Sequence, residues 1–267
     1  MQFNVNGAPA YAYTGGKPLD PALPCVVFIH GALNDHSVWT LLARWFAHHG
    51  HAVLAVDLPG HGRSGGAPLP DVEQLADWIW ALLDAAGVRE ARLVGHSMGS
   101  LIALEAAARQ PARAKHLALV GTAYPMKVSD ALLETARVQP QKAIDMVNAF
   151  SHSSLAAKPS YPGPGAWLHG GGRALMRRMQ AGQRGVNLFE HDFKVCDRYA
   201  GGLQAAAKVT CPASLLLGAR DQMTSPKQTQ ALAEALKAKV HALPAGHALM
   251  GEVPEQMLQA LRQALGA

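Results

Sequence analysis

Ser97 stands between two glycines, in Gly95-His96-Ser97-Met98-Gly99, directly after the apolar run that ends in Leu93-Val94. A G-x-S-x-G pattern alone arises often by chance. Here it falls where a strand must turn at once into a helix, and the middle residue of such a turn takes a strained backbone tolerated only beside small neighbours. Gly95, Gly99 and Ser100 supply that space. The turn would lift the hydroxyl above the C-terminal edge of a sheet, where open α/β sheets place ligands. A serine that merely capped a helix would not need glycine on both sides.

A serine hydroxyl is a weak nucleophile near neutral pH; it needs a base, and the base needs an orienting acid. His247 falls just past the apolar run of "KVHALPAG", and Asp221 just past that of "ASLLLGARD". Ser97, Asp221 and His247 therefore form the candidate catalytic set, in the chain order serine, acid, histidine. The chain has thirteen histidines. His96 adjoins the serine, but adjacent side chains at a sharp turn point apart. His48, His49 and His51 sit at a helix end, and His152, His169 and His191 lie in or beside a central insertion. Only His247 combines chain order with a place just after a strand. Asp192, Asp197 and the position of Thr122 are the rivals to Asp221.

Acyl transfer also needs N–H groups aimed at the developing oxyanion, each contributing about 3 kcal/mol. The N–H of Met98, at a helix start, is one candidate. The other belongs to the loop after "CVVFIHG", where Ala32 is the first choice and Leu33 the second. His30 reads as a brace for that loop.

These residues need a frame, and the sequence supplies one. "QFNVNG" and "PAYAYTGG" read as a hairpin turning at Asn6-Gly7. "CVVFIHG", "AVLAVDLPG", "ARLVGHS" and "HLALVG" read as strands buried on both faces. Between them lie the helical patterns "SVWTLLARWFAHHG", capped by Ser37 and stopped by Gly50, "DVEQLADWIWALLDAAG" and "MGSLIALEAAARQP". Such alternation means parallel crossovers. It breaks between Ala123 and Glu190, where helical patterns flank a stretch, "KPSYPGPGAWLHGGG", expected to be loop. It resumes through "ASLLLGARD", "SPKQTQALAEALKA", "KVHALPAG" and "VPEQMLQALRQALG". The expected division is 1–122 core, 123–190 helical cap, and 191–267 core, with a mobile segment between residues 158 and 173.

The hydrophobic fraction of 49% and charged fraction of 16% in 267 residues describe a folded globular chain. The net charge of +5 is scattered, with no aromatic-interleaved basic stripe, so nucleic acid is not an expected partner. Three widely spaced cysteines, Cys25, Cys196 and Cys211, form neither a disulfide framework nor a zinc motif. No apolar run reaches the ~20 residues of a bilayer span. No secretory signal is apparent, so a cytoplasmic location is expected. Oligomeric state is unreadable.

Taken together, "HGA" after the third strand, "DLPGHGRS" after the fourth, "GHSMG", "GARD" and "AGH" resemble the α/β-hydrolase superfamily. "HGA" with "GHSMG" is similar to its carboxylesterase and monoacylglycerol-lipase-like branch. The resemblance implies a mostly parallel eight-stranded sheet flanked by helices and a cap between strands six and seven. It also implies Ser97, Asp221 and His247 as the triad, with Ala32 and Met98 as oxyanion donors. Asp57 and His61, in "DLPGHGRS", would be structural.

The leading expectation is a serine hydrolase acting on a small carboxylic ester through an acyl-enzyme, with no metal or organic cofactor. One alternative keeps the triad and cleaves C–C bonds of ring-fission products or an enol lactone, with Arg173, Arg177 and Arg178 facing substrate carboxylates. Another is a non-catalytic ligand receptor. Met146, Phe150, Trp167, Leu168, Met176 and Met179 are candidates to line an acyl pocket.

Overall fold

Alternate residues of the central strands enter two different cores, and this decides the layering. In a computed structural model, β3 (Cys25–Ile29) sends Cys25, Val27 and Ile29 to one face and Val26 and Phe28 to the other. β4 (Ala52–Val56) divides in the same way, with Leu54 on one side and Val53 on the other. Period-two strands that are apolar on both faces must be covered on both. The structure describes residues 1–156, 165–182 and 185–267.

The remaining strands are β1 (Gln2–Val5), β2 (Ala8–Tyr13), β5 (Ala91–His96), β6 (Ala114–Val120), β7 (Ala213–Gly218) and β8 (Lys239–Leu243). They form one eight-stranded sheet in the order β1-β2-β4-β3-β5-β6-β7-β8. β1 and β2 pair antiparallel, as do β2 and β4; every other pairing is parallel. The β1–β2 hairpin turns at Asn6 and Gly7, both at positive φ, as its Asn-Gly pair predicts.

α1 (Thr40–His48) covers one face together with α11 (Pro254–Leu265), through Phe46 and Leu261. α2 (Val72–Ala85) and α3 (Met98–Arg109) cover the other through residues such as Ile79 and Ile102. Asp71 caps α2, accepting the Gln74 N–H at 2.7 Å. The entry to α1 differs from expectation. A short 3-10 turn (His36–Trp39) precedes it, and Asp35, not Ser37, is the cap, accepting the Ser37 N–H at 2.9 Å. A carboxylate is the stronger acceptor for the free N–H groups of such a turn.

Between β6 and β7 lie α4 (Asp130–Val138), α5 (Pro140–Ser151), α6 (Leu168–Gly182), α7 (Leu188–Arg198) and α8 (Gly202–Ala206). Residue 190, the expected end of the insertion, falls within α7. α9 (Gln230–Leu236) and the four-residue α10 (Leu249–Glu252) complete the chain. Helix α6 corrects the expectation of a loop through "LHGGG": its glycines at 170–172 are helical. Close approach explains this against propensity, since a Cβ on Gly172 would lie 2.7 Å from Asn148 Oδ1 on α5. Residues 158–164 of the segment expected to be mobile lie outside the described residues.

A third apolar cluster joins these insertion helices through Ala136, Ile144, Met179, Leu188 and Phe189. It also contains Leu33, from the loop after β3. All three cysteines are free thiols, with Cys25 and Cys196 buried.

Candidate active site

The parallel strands end along one edge, and the residues singled out in the sequence lie just beyond those ends. Ser97 follows β5 and immediately precedes α3 with φ +53° and ψ −122°. That backbone is costly for a residue with a side chain. It is possible because the residues two before and two after it, Gly95 and Gly99, have none. A Cβ on Gly95 would lie 1.9 Å from the Gly99 carbonyl oxygen, and one on Gly99 would lie 2.4 Å from that of Ile29. The turn is anchored by Ser97 N–H to the Val120 carbonyl at 2.9 Å. Ser100 Oγ donates to the Ser97 carbonyl at 2.6 Å and lies 2.8 Å from Thr122 Oγ1.

His247 and Asp221, 26 positions apart, meet at 2.8 Å between Nδ1 and Oδ2. Asp221 Oδ1 accepts the N–H groups of Met223 and Thr224, at 2.8 and 2.9 Å. Its Oδ2 also accepts the Thr224 hydroxyl at 2.8 Å. Burial, the largest single influence on this carboxyl, opposes ionisation. The charge of His247 and the converging donors outweigh it and bring the pKa down to about 2. Thr224 Oγ1 lies 3.1 Å from His247 Nδ1, so it flanks both members of the pair. Neither its type nor its spacing marked Thr224 in the sequence; an Asp followed three residues later by Thr, just after a strand, is the only local signal.

Ser97 and His247 line one cavity of about 750 Å³. The structure contains no hydrogen bond from Ser97 Oγ to His247, and such contacts commonly tighten only with substrate bound. His96 reaches the backbone of the loop that carries His247. It is buried and its Nε2 donates to the His247 carbonyl at 2.9 Å, with the two rings 4.7 Å apart. Burial first, and the nearby His247 second, push its pKa down to about 3.

The loop after β3 closes the other side. A Cβ on Gly31 would lie 3.0 Å from Ser97 Cβ, so this backbone passes directly beside the serine. Among the described residues, neither the Ala32 nor the Met98 N–H meets an acceptor. Met98 is the first residue of α3, where a helix leaves its N–H groups free. Ala32 lines the cavity. Leu33, the second choice, is already engaged: its N–H donates to Asp192 Oδ2 at 2.9 Å. His30 braces the loop, with Nδ1 2.8 Å from the Gly31 carbonyl and Nε2 accepting the Leu58 N–H at 3.1 Å.

Asp192, a rival acid in the sequence, pairs with His61 Nε2 at 2.9 Å and not with His247. Asp197 accepts the Val128 N–H. Asp57 holds the backbone of His36 and Arg63. Five of the six candidate pocket residues line the cavity; Met179 packs among the insertion helices instead. Met126, Leu175, Phe193, Met223 and Met250 join them. The arginines weighed for carboxylate recognition are spent elsewhere. Arg173 and Arg177 hold Asp145, and Arg178 holds Asp35. Among the described residues, no group of three or more His, Cys, Asp or Glu is arranged to hold a metal, and no helix is long and apolar enough to cross a membrane.

Several known proteins are similar to this chain. The chain is 33% identical to the pimeloyl-[acyl-carrier protein] methyl ester esterase of Chromobacterium violaceum, over 80% of this chain and 82% of that one. It is 37% identical over 114 residues to the dihydrolipoyllysine-residue acetyltransferase component of the acetoin cleaving system of Pseudomonas putida, spanning 41% of this chain but 28% of that longer protein. Its backbone superposes on the enol-lactonase from Burkholderia xenovorans LB400 with a TM-score of 0.81, at 21% identity and full coverage of both chains. The family model for the alpha/beta hydrolase fold matches residues 24–162, more than half of the sequence. By that match and by its likeness to the Chromobacterium violaceum relative over four fifths of both chains, the chain belongs to the α/β-hydrolase family.

Proposed function

We propose that the protein hydrolyses carboxylic esters through an acyl-enzyme on Ser97. The observation that carries this reading is the 2.8 Å contact of His247 Nδ1 with a carboxylate satisfied by four donors, on the cavity that Ser97 also lines. Asp221 fixes the imidazole with its Nδ1 protonated, leaving Nε2 as the base. Ser97 Oγ attacks the ester carbonyl as Nε2 takes its proton. The oxyanion accepts hydrogen bonds from the N–H groups of Ala32 and Met98. His247 then returns the proton to the departing alcohol, and a water activated by the same nitrogen releases the acid. No step calls on a metal or organic cofactor.

The helices of residues 123–190, continued through α7, serve as a cap that supplies the acyl wall. Methionine and aromatic side chains there suit an uncharged, apolar acyl group. Ester hydrolysis by the Chromobacterium violaceum relative supports the choice of bond. The rival, C–C or enol-lactone cleavage of a carboxylate-bearing substrate, wants a free cation in the cavity; all three arginines weighed for it are paired.

The test is turnover of p-nitrophenyl esters of graded acyl length beside a ring-fission product, with Ser97→Ala as control. Multiple turnovers of uncharged esters, lost in Ser97→Ala, are expected. Strong preference for the ring-fission product would overturn the ester reading. Binding without turnover would mean a receptor.

A further inference from the structure

The contact that engages Leu33 is unusual on both sides. Leu33 is fully buried yet sits at φ +54°, a conformation that a branched residue avoids unless its surroundings impose it. Its side chain packs among the insertion helices, and its N–H donates to Asp192 Oδ2 at 2.9 Å, 159 positions away on α7. Asp192 is 1% exposed, and its Oδ2 also receives His61 Nε2 at 2.9 Å. The other ring nitrogen of His61 lies 3.1 Å from the Pro59 carbonyl. Both nitrogens face acceptors, an arrangement that suits the protonated ring and its pairing with the carboxylate.

Two consecutive peptide units are thereby gripped from opposite ends. The Gly31–Ala32 unit is held at its carbonyl by His30 Nδ1, at 2.8 Å, and by the Asn34 N–H, at 3.3 Å. The Ala32–Leu33 unit is held at its N–H by Asp192. The free N–H of Ala32 lies between the two grips and beside Ser97. We propose that Asp192, fixed by His61, is a positioning residue for the oxyanion site: it holds the Leu33 peptide in its left-handed conformation and so aims the Ala32 N–H at the reacting carbonyl. Without that acceptor, Leu33 has a buried N–H without a partner and a strained φ free to relax, and relaxation rotates the adjoining peptide. The insertion then has a part in catalysis as well as in shaping the cavity, because Phe193, next to Asp192, lines the wall.

This inference rests on the ester-hydrolase reading, and its test separates the two. Wild type, Asp192→Asn and Asp192→Ala are compared on the best uncharged ester, with rates normalised to folded protein. Each is also titrated with two ligands: a trifluoromethyl ketone, which adds to Ser97 and generates an oxyanion, and the uncharged amide analogue of the ester, which does not. Expected for Asp192→Ala is a fall of about 100-fold in kcat with KM within threefold, the scale of a lost oxyanion donor. The ketone should weaken by a similar factor and the amide by less than threefold. Asp192→Asn keeps an oxygen for Leu33 and should retain at least a tenth of wild-type kcat; it also carries the test if Asp192→Ala does not fold. With it, ketone affinity should fall by the same factor as kcat while amide affinity holds. Unchanged kcat in both variants, or equal weakening of ketone and amide, would overturn the proposal. Wild type without Ser97-dependent turnover or ketone addition would overturn the reading beneath it, and the proposal with it.

Discussion

Two buried histidines should make the fold acid-sensitive well above the range where carboxylates titrate. His96 is held neutral, its pKa pushed down to about 3 by burial and then by His247. His30 is brought down to about 4 by burial and then by the neighbouring His61. In the unfolded chain both return to about 6.5. A group with a depressed native pKa adds stability above its unfolded value, and loses it as pH falls towards the native one. Between pH 6.5 and 4.5 the unfolded chain therefore binds up to two more protons at these sites than the native chain. The slope approaches 2.7 kcal/mol per pH unit, and the loss across the window is about 4 kcal/mol. That is a large part of the 5–15 kcal/mol typical of a domain. Asp221, depressed to about 2, gives stability that is complete above about 4 and lost only as pH falls towards 2, below the window. Burial, the largest single influence on His61, lowers its pKa, but the charge and hydrogen bond of Asp192, the Pro59 carbonyl and the charge of Asp57 together outweigh it, so His61 is raised. Its contribution is complete below 6.5 and is lost as pH rises, so it is nearly constant here. His51, His116, His169 and His241 are lowered, burial first among the causes, and add to the acid loss. The controlled comparison is His96→Gln, whose amide nitrogen can still donate to the His247 carbonyl. Urea unfolding at pH 6.5 and 4.5 should show the variant losing about 2 kcal/mol less than wild type over the interval, the contribution of one histidine. Equal losses in the two proteins would refute the assignment of His96 as a buried neutral ring.

Glycines at two places should respond with opposite sign. Gly95→Ala puts a methyl 1.9 Å from the Gly99 carbonyl oxygen, which is backbone and cannot swing aside; a cost of about 3 kcal/mol or more should lower Tm by roughly 6–12 °C. Gly171→Ala, in α6 with nothing within 4 Å of its Cβ, should stabilise by about 0.5–1 kcal/mol, seen as a rise of a few degrees by calorimetry. Thr224→Val keeps the shape and the backbone N–H to Asp221 but removes a buried hydroxyl donor at 2.8 Å; stability should fall by about 1–3 kcal/mol and kcat roughly tenfold, with KM unchanged in steady-state assays.

The sheet and the Asp221–His247 contact were legible because their signals are local. Each strand announces itself as a short apolar run, and each chemical residue follows one directly. The Asn6-Gly7 turn is read in the same way. What escaped the sequence depends on distant packing. The glycines at 170–172 look like a loop until α5 is laid against Gly172, where the missing side chain allows the approach. The ring of His96 lies beside that of His247, 151 positions on, where Gly121 leaves room for both. Leu33 carries no sign of positive φ, since nothing in a leucine invites it.

The two halves of the site are consequently held by different means. Asp221 collects its donors from residues two and three positions on and from a histidine 26 positions away, all within the loops after β7 and β8. That half can form as soon as those two strands pair. The oxyanion side has no such independence. Its peptide units are braced from β3's own end by His30 and from α7 by Asp192, across 159 positions of sequence. Long-range contacts of this kind form only when the insertion has docked, so loosening the insertion leaves the acid–base pair intact and slackens the grip on the oxyanion loop. Variation in the insertion helices thus acts on two things through one helix: Phe193 and Cys196 of α7 meet the substrate cavity, while Asp192 of the same turn meets the backbone beside Ser97. In the proposed mechanism, substrate fit and transition-state geometry are joined there by little more than one turn of helix, not by a loop free to adjust them separately.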